Sequence, residues 1–205
     1  MFQLKIAFGR VGSLTVTAVV LVAAVITFAG SALAANLLVN GNFDTFVPNN
    51  ATGGGWTTAT MSSGYGWNSV HGNPGPGFIL NHTGLINSDP RIYQTVAGLM
   101  PGAQYAITGE YALGTPTGTP NNSFEVRVDG TAVLSIGPHP DHTGSYTPFR
   151  GFATTFVATA TSHVIMFAAE CNGSDHHYSI DNLSMELVVV PVESSTWGKV
   201  KALYR

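Results

Sequence analysis

Imidazole and carboxylate come close in sequence at His139-Pro-Asp141-His142 and again at Asp175-His176-His177. Such donors can hold a transition metal, but neither run has the spacing of a zinc site, and the chain has no His-Glu-x-x-His and a single cysteine. Hydrolytic chemistry is no better served. Glycoside cleavage needs two carboxylates about 5 to 10 Å apart across a cleft, and the 11 acidic residues are scattered, so that a pair such as Glu110 with Glu170 has no spacing to recommend it. There is no Gly-x-Ser-x-Gly elbow for a serine nucleophile. What the chain does concentrate is aromatic rings: the segment from Asn49 to Pro76 is rich in Gly, Asn and Ser, with Trp56, Tyr65, Trp67 and His71 set into it. No alternation turns these rings inward, and large aromatics in an exposed loop offer flat apolar faces to a ligand. The other use for them is to plug one end of a core.

The elements that must carry these residues read as strands. Arg91 to Val96 alternates and ends at Gly98, and Gln104 to Leu113 follows the Pro101-Gly102 turn, so these two are expected to pair. Ser123 to Val128 alternates Phe and Val with charged residues, and Asp129-Gly130 turns it into Thr131 to Ile136. Phe149 to Ala158, His163 to Ala169 and Tyr178 to Val190 complete about nine strands. No stretch after the leader sustains a 3.6-residue apolar period, so the domain is all-β.

The leader is of another kind. Lys5 and Arg10 precede an uncharged run from Leu14 to Ala29, and Ala32-Leu33-Ala34 has the small-x-small pattern of a cleavage site, so residues 1–34 are expected to form a signal-peptide helix that is removed on export. The remaining domain, 35–190, keeps 6 of the 8 basic residues against all 11 acidic ones, a formal charge of −5. That balance argues against nucleic acid or an anionic membrane as partner. Cys171 is alone, so the fold stands on packing and not on an intrachain disulfide. Residues 191–205 leave the domain, and Trp197, Val200 and Leu203 fall on one helical face beside Lys199, Lys201 and Arg205.

Several segments resemble carbohydrate-binding modules with a galactose-binding-like jelly roll, the group that includes cellulose- and xylan-binding modules. Asn36-Leu-Leu-Val-Asn-Gly-Asn-Phe43-Asp44 is similar to their opening strand; Ile92-Tyr-Gln-Thr-Val96, Leu99-Met-Pro-Gly102 and Tyr105 to their central strand, turn and next strand. Phe149-Arg-Gly-Phe152 through Phe156, then His163 to Phe167, then Tyr178-Ser-Ile-Asp181-Asn182-Leu183 are similar to their closing three strands. The tail resembles short C-terminal segments of some exported bacterial proteins, which implies a sorting or surface-docking partner.

The resemblance implies a jelly-roll β-sandwich that binds a polysaccharide or glycan without cleaving it, secreted or at the cell surface. Ring faces would stack on sugars and amides or charged groups would pair with hydroxyls. Trp56, Tyr65 and Trp67 are the expected stacking residues; Tyr111, Tyr146, Phe149 and Tyr178 could line the concave face, while Tyr105, Phe152, Phe156 and Phe167 alternate like core. Asn81, His82, Gln94, Glu110 and Arg150 are the candidate polar partners. A structural calcium ion is also implied between opening and closing strands, where Asp44 and Asp181 occupy the matching places. The rival reading is a structural surface or matrix component with no glycan ligand.

Overall fold

The structure, a computed structural model, describes residues 35–61, 65–82, 89–114, 123–137, 139, 146–170 and 176–189. The expected signal peptide and tail lie outside these residues, as do Asp141, His142 and Asp175. The described strands are β1 (Thr52–Gly53), β2 (Trp56–Ala59), β3 (Trp67–Gly72), β4 (Gly75–His82), β5 (Arg91–Ala97), β6 (Gln104–Leu113), β7 (Ser123–Val128), β8 (Thr131–Ile136), β9 (Arg150–Val157), β10 (Ser162–Glu170) and β11 (His176–Leu187). All pairings are antiparallel and build two sheets, β1-β2-β5-β10-β7-β8 and β3-β4-β11-β6-β9. No helix occurs among the described residues. The molecule is a jelly-roll β-sandwich.

Period-two alternation explains how the two sheets meet. Ile92 and Val96 on β5, Phe124 and Val126 on β7, Ile165 and Phe167 on β10 point inward from one sheet; Phe78 and Leu80 on β4, Tyr105 and Ile107 on β6, Tyr178 and Ile180 on β11 point inward from the other. Most of these side chains are fully buried, and each contributes about 1.5–3 kcal/mol by leaving water.

Three expectations are corrected. Strands β5 and β6 do not pair: β5 lies between β2 and β10, and β6 between β11 and β9. The Pro101-Gly102 turn carries the chain from one sheet to the other, held where Leu99 N donates to Thr161 O and Gly102 N to Ala158 O. Residues 36–44 form no strand, because Asn40 and Phe43 adopt left-handed φ of 53° and 54°. The segment nonetheless lies along β11, with Leu37 N donating to Met185 O and Leu183 N to Gly41 O, and the Gln94 amide clamps Val39 by both its backbone groups. Finally, much of Asn49–Pro76 is strand and not open loop, since β1, β2 and β3 fall within it.

Candidate functional site

The residues that matter for function lie on the outer face of the five-stranded sheet. On β11, Tyr178 and Ile180 face the core, so His177, Ser179 and Asp181 face away from it. Register places His177 opposite Asn81 of β4, Ser179 opposite Ile79 and Ala112, and Asp181 opposite Glu110 of β6. An outward face is ordinarily wet, yet Asn81, His177, Ser179 and Asp181 are all buried.

The cover comes from the β3–β4 hairpin, which leaves regular register after Asn68 and folds across the sheet. Ser179 Oγ donates to the His71 carbonyl. The hairpin tip is tied down further along: Asn73 N donates to Asp181 Oδ2 (2.6 Å), Asn182 Nδ2 donates to Asn73 O (2.7 Å), and Glu110 Oε2 accepts from Asn73 Nδ2 (3.1 Å) and Asn182 Nδ2 (2.9 Å). Asn182 can reach back because β11 carries one extra residue between Asp181 and Ser184, with Asn182 itself at φ 52°.

Under this cover four polar rings from separate segments meet. The Tyr65 ring lies 4.6 Å from that of His177, His71 lies 4.5 Å from Tyr146, and Tyr146 and His177 are nearly coplanar with centroids 6.3 Å apart. Tyr146 Oη and His177 Nδ1 are 2.9 Å apart. Burial, reinforced by Tyr65, pushes the Tyr146 phenol well above its ordinary range, so it stays protonated and donates to the imidazole. Tyr146 can lie on β6 only because residue 114 is glycine; a methyl group there would overlap the ring. Beneath the rings the Asn81 side chain is wholly buried, and neither Nδ2 nor Oδ1 has a hydrogen-bond partner.

No family model matches the sequence, and no curated protein matches it either. Solved structures do. A family 61 carbohydrate-binding module, in complex with β-1,4-galactotriose, superposes with a TM-score of 0.52 at 13% identity over 75% of this chain and 99% of that one. The chain shares the fold of carbohydrate-binding modules. A family 16 module (TM-score 0.47, 19% identity, 73% of this chain and 99% of that one) and the CBM22-1 xylan-binding domain from Paenibacillus barcinonensis Xyn10C (0.44, 13%, 66% and 87%) are further matches.

Set on this carbohydrate-binding-module fold, the residues expected to meet a ligand divide. Tyr65 joins the ring cluster. Trp67 is half-buried at the sandwich edge, its Nε1 donating to Phe43 O (2.7 Å) and its ring 5.6 Å from that of Phe46, which is exposed. Arg150 is exposed at the start of β9, opposite Tyr111. His82 ends β4 with its backbone paired to His176. Two expectations are corrected. Trp56 is 1% exposed, stacked 5.9 Å from Phe43 with Nε1 donating to Asn40 O (3.0 Å), and it presents no face to solvent. Tyr111 lies in the core, 5.5 Å from Phe124 and nearly parallel to it. Alternation in β2 explains Trp56, since Trp56 and Thr58 both point inward. His71, Tyr146 and His177 come from three segments, and only outward alternation on β11 gives any sequence signal for their meeting.

The residues expected to hold calcium do not fit it as placed. Asp181 accepts backbone N–H from Asn73 and Asn182 on its two oxygens, while Asp44 is exposed and bonded to the Asn42 amide. Burial raises the Asp181 pKa, and Glu110 and Asp44 add to the effect. Among the described residues no three acidic, histidine or cysteine side chains converge on one point. A shallow depression beside them is lined by Asn36, Asn40, Asn42 and Asn182, but these amides brace the backbone: Asn36 holds Leu38, Leu183 and Met185, and Asn40 holds Thr45 and Gly54.

Proposed function

We propose that the chain is an exported, non-catalytic glycan-binding protein whose ligand meets the outer face of the five-stranded sheet. The observation that carries the reading is the cluster of Tyr65, His71, Tyr146 and His177, four rings with polar edges gathered on one sheet face. Such rings supply what a sugar needs, an apolar face for its C–H side and polar atoms at hydroxyl distance. The shared fold supports the reading by analogy, and the leader peptide supports export.

Hydrolysis is a poorer reading. Glu110 and Asp181 are cross-strand neighbours and Asp181 titrates high, a combination that could suit acid and base roles. Both are committed elsewhere: Glu110 Oε2 takes two amide donors, and Asp181 is 1% exposed with an N–H on each oxygen. Neither is open to a substrate and a water.

The test is retention on insoluble polysaccharides and a glycan panel, wild type against Tyr65→Ala. Binding of at least one glycan, weakened about tenfold in the variant with little change in melting temperature, is the expected result, since one lost stacking contact is worth about 1 kcal/mol or more. A folded protein that retains no glycan would sink the proposal and favour a structural surface component.

A further inference from the structure

The amide of Asn81 is the one polar side chain on the outer face whose buried atoms make no hydrogen bond among the described residues and which has no other recorded partner. Around it the accounting closes: Ser179 donates to His71 O, Asp181 accepts two N–H groups, and Tyr146 is paired with His177. Folded proteins leave few buried polar atoms unmade, because each costs its full desolvation. Here both ends of one side chain are left so, on the strand position directly opposite His177, whose ring closes over the site with Tyr65 and Tyr146.

We propose that Asn81 is the residue that reads the ligand, pairing with two adjacent hydroxyls of a neutral sugar; this rests on the glycan-binding reading above. An amide offers one acceptor and one donor side by side in a plane. Neighbouring hydroxyls complement it, one O–H to Oδ1 and one oxygen lone pair to Nδ2. A carboxylate does not, since it brings only acceptors and one of them faces Oδ1. Charge on the same face points the same way, because Glu110 and Asp181 are both acidic and no Lys or Arg lies among the ring contacts. Entry requires the Tyr65 and His177 rings to move aside. The closed arrangement leaves the amide unpaired and the liganded one pairs it, so the sugar gains in the open state what the closed state lacks.

The test uses the whole protein with galactan and xylan as neutral probes and polygalacturonate as the acidic one, beside thermal unfolding of Asn81→Leu. Replacing an unpaired buried amide by an apolar group of similar size should raise the melting temperature by about 2–4 °C. The same change should lower retention of the neutral glycan at least tenfold, and wild type should prefer the neutral probe over polygalacturonate. Asn81→Val, which suits a strand, carries the test if the leucine variant does not fold. Unchanged retention in a folded apolar variant overturns the assignment while leaving glycan binding intact. A marked fall in melting temperature overturns it too, because the amide would then already be paired, by water for instance. Equal retention of polygalacturonate overturns the neutral-sugar part, and if wild type retains no glycan the assignment falls with the reading beneath it.

Discussion

Truncating Trp56 separates a core tryptophan from a ligand-facing one. The ring is 1% exposed, lies 5.9 Å from both Phe43 and Phe167, and gives its N–H to Asn40 O. Trp56→Ala removes that packing, which costs about 3–5 kcal/mol for a large aromatic in a core, and strips the Asn40 carbonyl of its donor for roughly another 1 kcal/mol. Against a total stability of about 5–15 kcal/mol this is a large share. At roughly 2–4 °C per kcal/mol for a domain of this size, the melting temperature should drop by about 10–20 °C. Trp67→Ala is the control: the ring is half-buried at the edge, so a fall of only about 2–6 °C is expected. Thermal unfolding by circular dichroism reads both, and glycan retention measured well below the melting point should survive in folded Trp56→Ala. If Trp56→Ala melts within a few degrees of wild type and loses the glycan, the ring is not in the core and the packing argument fails.

Two further loci titrate in opposite directions. Asp129, in the β7–β8 turn at φ 50°, accepts Val164 N–H on Oδ1 and pairs with His163 through Oδ2 (2.5 Å), while His163 Nε2 accepts N–H from Thr159 and Ala160. The Val164 bond, then His163, lowers its pKa below 3.8, so its stabilisation is present above the ordinary value and lost as pH falls through the lowered one. The carboxylate is half-exposed, which keeps the effect small: Asp129→Ala should cost about 1 kcal/mol at pH 7 and Asp129→Asn less, since Asn tolerates left-handed φ and keeps an acceptor. Equal losses in the two variants, read by urea unfolding, would contradict this. Asp181 is raised from 3.8 by burial, with Glu110 and Asp44 adding to it, so its favourable contribution holds below 3.8 and is lost as pH rises through the raised value. Glu110→Gln, which keeps an acceptor for the two amides, should therefore raise the melting temperature at pH 7 by about 1–3 °C and by less at pH 4. Calcium at about 1 mM should leave the wild-type melting temperature within about 1 °C; a rise that Glu110→Gln abolishes would mean a cation does draw these carboxylates together.

Strands β6, β7 and β8 have in the structure the bounds that alternation assigns them, because Pro101-Gly102 and Asp129-Gly130 punctuate clean period-two runs. The partner of a strand is another matter. Inward residues alternate in the same way whether the next strand joins the same sheet or crosses to the facing one, so Ile92, Val96, Tyr105 and Ile107 look alike from sequence although they lie on opposite walls. The segment from Asn49 to Pro76 misleads for a related reason. Its Gly and Asn content signals loop, yet Asn50 braces Met61 by both backbone groups, and Gly54 and Gly55, at φ 58° and 86°, turn β1 into β2. Composition registers those residue types without showing that the amides hold strands together.

That use of amides bears on where a ligand would be read. In an asparagine-rich chain most exposed-looking amides are already occupied by backbone: Asn36, Asn40, Asn50, Asn73 and Asn182 each hold a neighbouring segment. Asn81 is the exception, and it is also the most deeply buried position of its strand's outer face, so neither exposure nor composition singles it out. It emerges only when the hydrogen bonds of the sheet are accounted for one by one. Tyr65, by contrast, is visible in the sequence as a ring in a glycine-rich stretch, but its companions His71, Tyr146 and His177 arrive from β3, the segment before β9, and β11. A site assembled from contacts that far apart in the chain exists only in the folded sheet, and its chemistry depends on which amide the fold leaves unpaired.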